Sequence, residues 1–232
     1  PRNLHLCCRK ITLEYTTRKI ATKMNGGNRA LRGIASAHAW YNRSVTSNPA
    51  PQDPNPLLAA LAAAQARWQL FPPPGTHPTP VLVAVSGGVD SICLLHLLHQ
   101  VAQAWRLDLH VGHVDHRLRP SSAADARFVA DLSAAYGHPF HLAVLDPDHL
   151  RTAAGGIEAA ARHARYAALG QMAASIAVPG QMPAIVLAHH ADDQAETILL
   201  HLVQGSSLRG LGGMRPAGEM CVDAAEAAGG EY

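Results

Sequence analysis

Little in this sequence points to metal–sulfur chemistry, a disulfide framework or a membrane. Only four cysteines occur in 232 residues, Cys7, Cys8, Cys93 and Cys221. No two of them form a C-x-x-C pair, which removes the usual zinc and redox signatures. Reduced thiols in a cytoplasmic setting fit this usage. No apolar run reaches the roughly 18 residues of a membrane span, and no basic stretch followed by an apolar segment opens the chain as a secretory signal would. No membrane partner is therefore expected. The formal charge is only +2, short of the strongly basic footprint that indicates nucleic-acid binding unaided. The chain also lacks the G-x-x-x-x-G-K-[ST] loop, the G-x-G-x-x-G fingerprint and any internal repeat. Hydrophobic residues make up 48%, enough for one α/β domain with an extension.

Residues 1–56 show no sustained period and end in the breaker-rich SNPAPQDPNP, so they are expected to be a poorly ordered leader. Residues 57–80 combine the Ala/Leu-rich helix LLAALAAAQARW with the Pro-rich linker FPPPGTHPTP. From residue 81 strand and helix patterns alternate. VLVAV (81–85) is a continuous β-favouring run, and ICLLHLLHQVAQAW (92–105) is a helix apolar on nearly every side. Strands follow at 107–114, 140–145 and 184–188, with helices at 122–137, 157–174 and 191–205. The order implies an α/β fold, a doubly wound parallel sheet with helices on both faces. Ligands on such sheets lie beyond the carboxyl ends of the strands. The polar clusters SGGVDS, HVDHRLRPSS and HHADDQAET all fall at such ends.

SGGVDS (Ser86, Gly87, Gly88, Val89, Asp90, Ser91) has the parts of a phosphate cradle. Its glycines let backbone approach an anion, its serines carry hydroxyls, and the next helix adds unpaired N–H groups. In HHADDQAET, Asp193 and Glu196 stand three apart on one helix face. That spacing suits Mg²⁺ shared with substrate phosphates, and equally suits helix capping with a favourable dipole. His113 and His116, with Asp115, Arg117 and Arg119, offer adenine, ribose or phosphate contacts, or else a solvated loop. Arg162 and Arg165 sit in IEAAARHARYAAL, where Glu158 and Arg162 form an i,i+4 pair and one arginine can balance polyphosphate.

Together VLVAVSGGVDSICLLHLL, HVDHRLRPSSAADARFVADL, GGIEAAARHARYAAL and AHHADDQAETILLHLVQGSSLRGLGGM resemble the tRNA(Ile)-lysidine synthase family. The likeness covers about residues 57–215. It implies a PP-loop ATPase domain of the adenine nucleotide alpha hydrolase-like type over residues 81–215, followed by a truncated tail at 216–232. It also implies a ligase that uses ATP and Mg²⁺, with tRNA(Ile) bearing a CAU anticodon and free L-lysine as partners. A homodimer is the assembly to test. By the same resemblance, Ser86 to Ser91 hold the ATP phosphates, and His113 and His116 lie near the nucleoside. Asp193 and Glu196 serve Mg²⁺ or lysine, joined by Asp90, and Arg162 or Arg165 steadies the adenylate. Two other functions share the loop: a tRNA-thiolating PP-loop enzyme, and a non-catalytic ATP or AMP sensor.

Overall fold

The computed structural model describes residues 5–15, 55–73, 77–152, 156–190 and 216–223, together with Ala195, Leu199 and Val203. In chain order the elements are β1 (His5–Tyr15), α1 (Pro56–Trp68), β2 (Thr79–Ala84), α2 (Val89–Trp105), β3 (Leu107–Asp115) and α3 (Ser122–Tyr136). They continue with β4 (Phe140–Val144), α4 (Pro147–Thr152), α5 (Ile157–Ser175), β5 (Ala184–His190) and β6 (Ala217–Asp223). One six-stranded sheet runs β4-β3-β2-β5-β1-β6. All neighbours pair in parallel except β6, which is antiparallel to β1. Among the described residues no helix is long and apolar enough to cross a membrane.

The continuous apolar run of β2 has a plain cause. Val81 and Val83 belong to the core under α2 and α3, while Leu82 packs in the opposite core with Leu169, Met172 and Ile185. Successive side chains point to opposite faces, so a strand buried on both sides cannot alternate. Helix α2 buries Ile92, Leu94, Leu95, Leu97 and Leu98. Each such side chain contributes about 1.5–3 kcal/mol, so the helix start is held firmly against the sheet. Helix α3 ends at Gly137, whose φ of +72° forms the left-handed cap expected of a glycine there.

Residues 5–15 depart from the expected leader: they form β1, inserted between β5 and β6. HLCCRKITLEY carries too many polar residues to read as a buried strand. Its strand character comes from ladders on both sides, Ile11 facing Val186 of β5 and Ala217 of β6. Tertiary pairing of this kind overrides local propensity. Residues 217–223, expected within an unstructured tail, supply the edge strand β6. The helix expected over 191–205 lies outside the described residues except for Ala195, Leu199 and Val203, which are helical.

The connection β2-β3-β4 builds the sheet in one direction and β5 lies on the other side of β2. The strand order therefore reverses between β2 and β5, and the crevice beyond their carboxyl ends is where ligands bind on such sheets.

Candidate functional site

Chain leaving β2 enters the SGGVDS loop, and hydrogen bonds within the loop set its shape. The Ser86 amide donates to Ser91 Oγ at 3.2 Å, Ser91 Oγ donates to the Gly88 carbonyl at 2.8 Å, and the Gly88 amide donates to Ser86 Oγ at 3.3 Å. Ser91 is buried and its hydroxyl is occupied in staples, whereas Ser86 is exposed at the cavity wall. Gly87 has a φ of +87°, a left-handed conformation that a side chain would strain. Gly88 caps α2 with no side-chain hydrogen bond. The first-turn N–H groups therefore have no intrahelical partner and face outward with the positive end of the helix dipole.

A cavity of about 660 Å³ opens at the switch point. Ser86 and Ser91 line it, with His113, His116, Arg162 and Arg165. Gly87, Gly88, Val89 and Asp90 form the outer turn of the loop and do not line it. His113 is 4% exposed, and its Nδ1 lies 2.7 Å from the Val85 carbonyl oxygen. The carbonyl can only accept, so Nδ1 carries a proton. His113 thus ties the residue before the loop to β3. Burial, then the Arg165 charge, hold the His116 imidazole below its ordinary value. His116 Nδ1 and Arg165 Nε are both buried with no hydrogen-bond partner among the described residues. Such groups are costly to leave unpaired and mark a surface prepared for a ligand.

Asp115 plays a local role. Its Oδ1 accepts from the Arg117 amide at 2.8 Å, holding Arg117 at a φ of +50° so that it and Arg119 reach the cavity. Both arginines of α5 line the wall, Arg162 exposed and Arg165 half-buried. Tyr166 collects the cations behind them. Lys10 of β1 donates to its hydroxyl at 3.1 Å, and Arg165 and Arg162 lie 5.3 and 5.6 Å from its ring. Burial raises the Tyr166 phenol, but the Lys10 hydrogen bond and the three charges outweigh it and lower the value.

Two residues escaped the sequence reading. Asp125 is 6% exposed and lines the cavity, with one oxygen lacking a partner among the described residues and the other 4.0 Å from Arg119. An acid in the first turn of a helix looks like ordinary dipole compensation, and only the tertiary placement distinguishes it. Lys10 lay in the presumed leader. Asp193 and Glu196 lie outside the described residues, and among those described no three His, Cys, Asp or Glu side chains converge to hold a metal ion. Cys93 is buried, and burial followed by the Asp90 charge pushes its thiol up to about 11.

A strand-to-helix anion loop facing a cavity with four arginines is built to hold a polyphosphate. Comparison with known proteins agrees with that chemistry. A family model described as the PP-loop domain matches residues 61–228. The tRNA(Ile)-lysidine synthase of Symbiobacterium thermophilum is 46% identical over 137 residues, covering 59% of this chain and 28% of the relative. Those of Novosphingobium aromaticivorans and Gloeobacter violaceus are each 44% identical over 69% of this chain, and cover 45% and 48% of the relatives. The chain spans less than half the length of these curated relatives. A parallel sheet with helices on both faces, an SGGVDS loop at its switch point and a domain match over 61–228 together mean that the chain belongs to the PP-loop domain family.

Proposed function

We propose that this chain is the ATP-binding catalytic part of a tRNA(Ile)-lysidine synthase that acts in the cytoplasm. In the first step the C2 carbonyl oxygen of the wobble cytidine attacks the α-phosphorus of ATP, and pyrophosphate leaves. In the second the ε-amine of L-lysine attacks C2, loses a proton and expels AMP. An amide-like oxygen is a poor leaving group, and adenylylation converts it into a good one. The observation that carries the reading is the SGGVDS loop set against the arginine-lined cavity, in a chain 44–46% identical to three lysidine synthases.

In this reading the Ser86 hydroxyl at the cavity wall and the N-terminal end of α2 receive the pyrophosphate. Arg165, whose Nε is buried with no partner among the described residues, takes the α-phosphate as its charge develops, and Arg162 stands at the mouth. His113 and His116 flank the nucleoside, His116 as a neutral imidazole. Magnesium would neutralise phosphate charge, with Asp193, Glu196 and Asp90 as the carboxylates of this chain that suit it. A thiolating reaction needs a reactive sulfur, and the buried Cys93 thiol, raised to about 11, is unsuited to carry one.

The test incubates the full chain with ATP, Mg²⁺, labelled lysine and a CAU-anticodon tRNA(Ile) transcript. Lysine incorporation with equimolar AMP and pyrophosphate is the expected result. Sulfur incorporation, or ATP binding without pyrophosphate release even when the chain is joined to the rest of a relative's sequence, would overturn the reading.

A further inference from the structure

Away from the nucleotide cavity, the sheet edge formed by β3 and β4 carries histidines that the proposed reaction leaves unused. His110 sits toward the N-terminal end of β3, the end away from Asp115, and His141 is the second residue of β4. Gly112 is the register partner of His141. His110, two residues before it, therefore projects on the same face as His141. Their rings meet nitrogen to nitrogen, His110 Nδ1 lying 2.9 Å from His141 Nε2. On the far side of the His110 ring, Asp108 Oδ2 stands 3.5 Å from Nε2.

The geometry points to His110 and His141 as a two-nitrogen chelate for a divalent metal of the copper–nickel class. Two nitrogens bound at a right angle, each about 2.0–2.1 Å from one ion, stand roughly 2.9 Å apart, and tetragonal nitrogen–oxygen sites select Cu²⁺ and Ni²⁺. The Asp108 carboxylate favours the proton on His110 Nε2, which leaves Nδ1 to accept from His141 Nε2 in the metal-free chain and to bind an ion that displaces that proton. A carboxylate behind a ligating histidine is the usual orienting arrangement in metal sites. His141 needs only a change of tautomer, its proton moving to Nδ1, to present a second lone pair. No third His, Cys, Asp or Glu converges there among the described residues, so water completes the coordination.

A second facing pair provides an internal comparison. His99 Nδ1 and His138 Nε2 are 3.0 Å apart, but their partner is the Tyr136 ring, 4.8 Å from His99 and 6.3 Å from His138. Neither ring of that pair is backed by a carboxylate ion pair among the described residues. It lacks the feature that orients a lone pair.

The experiment titrates the full chain with NiCl₂ by calorimetry, and with CuCl₂ followed by its visible spectrum. With excess Mg²⁺ present to fill the carboxylates proposed for the phosphate site, one further ion per chain is expected, with its binding abolished in His141→Ala and in His110→Ala. Asp108→Asn keeps both ligands and lies on an exposed residue; binding about 10-fold weaker is expected of it. His99→Ala should bind as the unaltered chain does. Absence of binding in the unaltered chain, undiminished binding in a folded His141→Ala variant, or loss in His99→Ala instead would each overturn the assignment. An undiminished Asp108→Asn would overturn it too.

Discussion

Replacing Ser91 by alanine tests whether the SGGVDS loop is pre-shaped by its own staples. The Ser91 hydroxyl accepts from the Ser86 amide and donates to the Gly88 carbonyl, at 3.2 and 2.8 Å. A net hydrogen bond contributes about 0.5–1.5 kcal/mol, so the pair is worth about 1–3 kcal/mol. The Gly88 carbonyl keeps its helical partner, the Ile92 amide at 3.1 Å, and alanine fits the space of serine. The cost therefore falls on loop order, which nucleotide binding must then restore. A cost of about 2 kcal/mol corresponds to roughly 30-fold in affinity. If instead the whole cost fell on folding, it would lower Tm by about 4–8 °C. Calorimetric ATP titration and thermal unfolding of Ser91→Ala read both quantities. Ser86→Ala is the contrast, because Ser86 is exposed and its hydroxyl makes only long contacts, 3.3 Å from the Gly88 amide and 3.3 Å from Ser91 Oγ. It should leave Tm unchanged and weaken ATP a few-fold, by roughly the worth of one hydrogen bond. Ser91→Ala binding ATP within about twofold of the unaltered chain would refute the staple argument. So would a larger loss of Tm in Ser86→Ala.

Other consequences follow from the same structure. Burial is the first cause holding His96, His116, His138 and His141 below their ordinary value in the folded chain. The unfolded chain thus binds more protons as pH falls below about 6.5, and stability present above that value is lost on acidification. The urea midpoint should be lower at pH 5.5 than at pH 7.5, and an equal or higher midpoint refutes this. Arg165→Met should move the His116 titration, followed by NMR, back up toward its ordinary value, since the Arg165 charge is the second cause of its depression. It should also raise the KM for ATP at least about 10-fold, as expected from losing a charge-assisted contact of about 1.5–3 kcal/mol; an unmoved titration would show the two groups are not coupled. The Cys93 thiol, pushed up to about 11, should react with a thiol reagent at pH 8 about 100-fold more slowly in the folded chain than in urea. Equal rates would show that it is not buried as described.

Much of this protein is determined by the sequence acting locally. VLVAV reads as a strand buried on both faces, SGGVDS as a tight strand-to-helix turn, and Gly137 as the end of its helix. These are short-range steric and hydrophobic constraints, carried by neighbouring residues and independent of the rest of the chain. The same locality explains why the three polar clusters could be assigned to strand ends before any contact was known. It also explains what was misread: β1, β6, Lys10 and Asp125 owe their roles to partners far away in sequence. HLCCRKITLEY becomes a strand because β5 and β6 supply its ladders. Lys10 is then carried to Tyr166, 156 residues on, and Asp125 to the same cavity as the loop. Tertiary structure also separated the two loop serines, making Ser91 the buried staple and leaving Ser86 exposed at the cavity wall, because only packing determines which hydroxyl is buried. It likewise placed His113 in the cavity wall and made it the tie between β3 and the residue before the loop. Pairing across a sheet is a long-range choice that local pattern cannot encode, and these assignments depended on it.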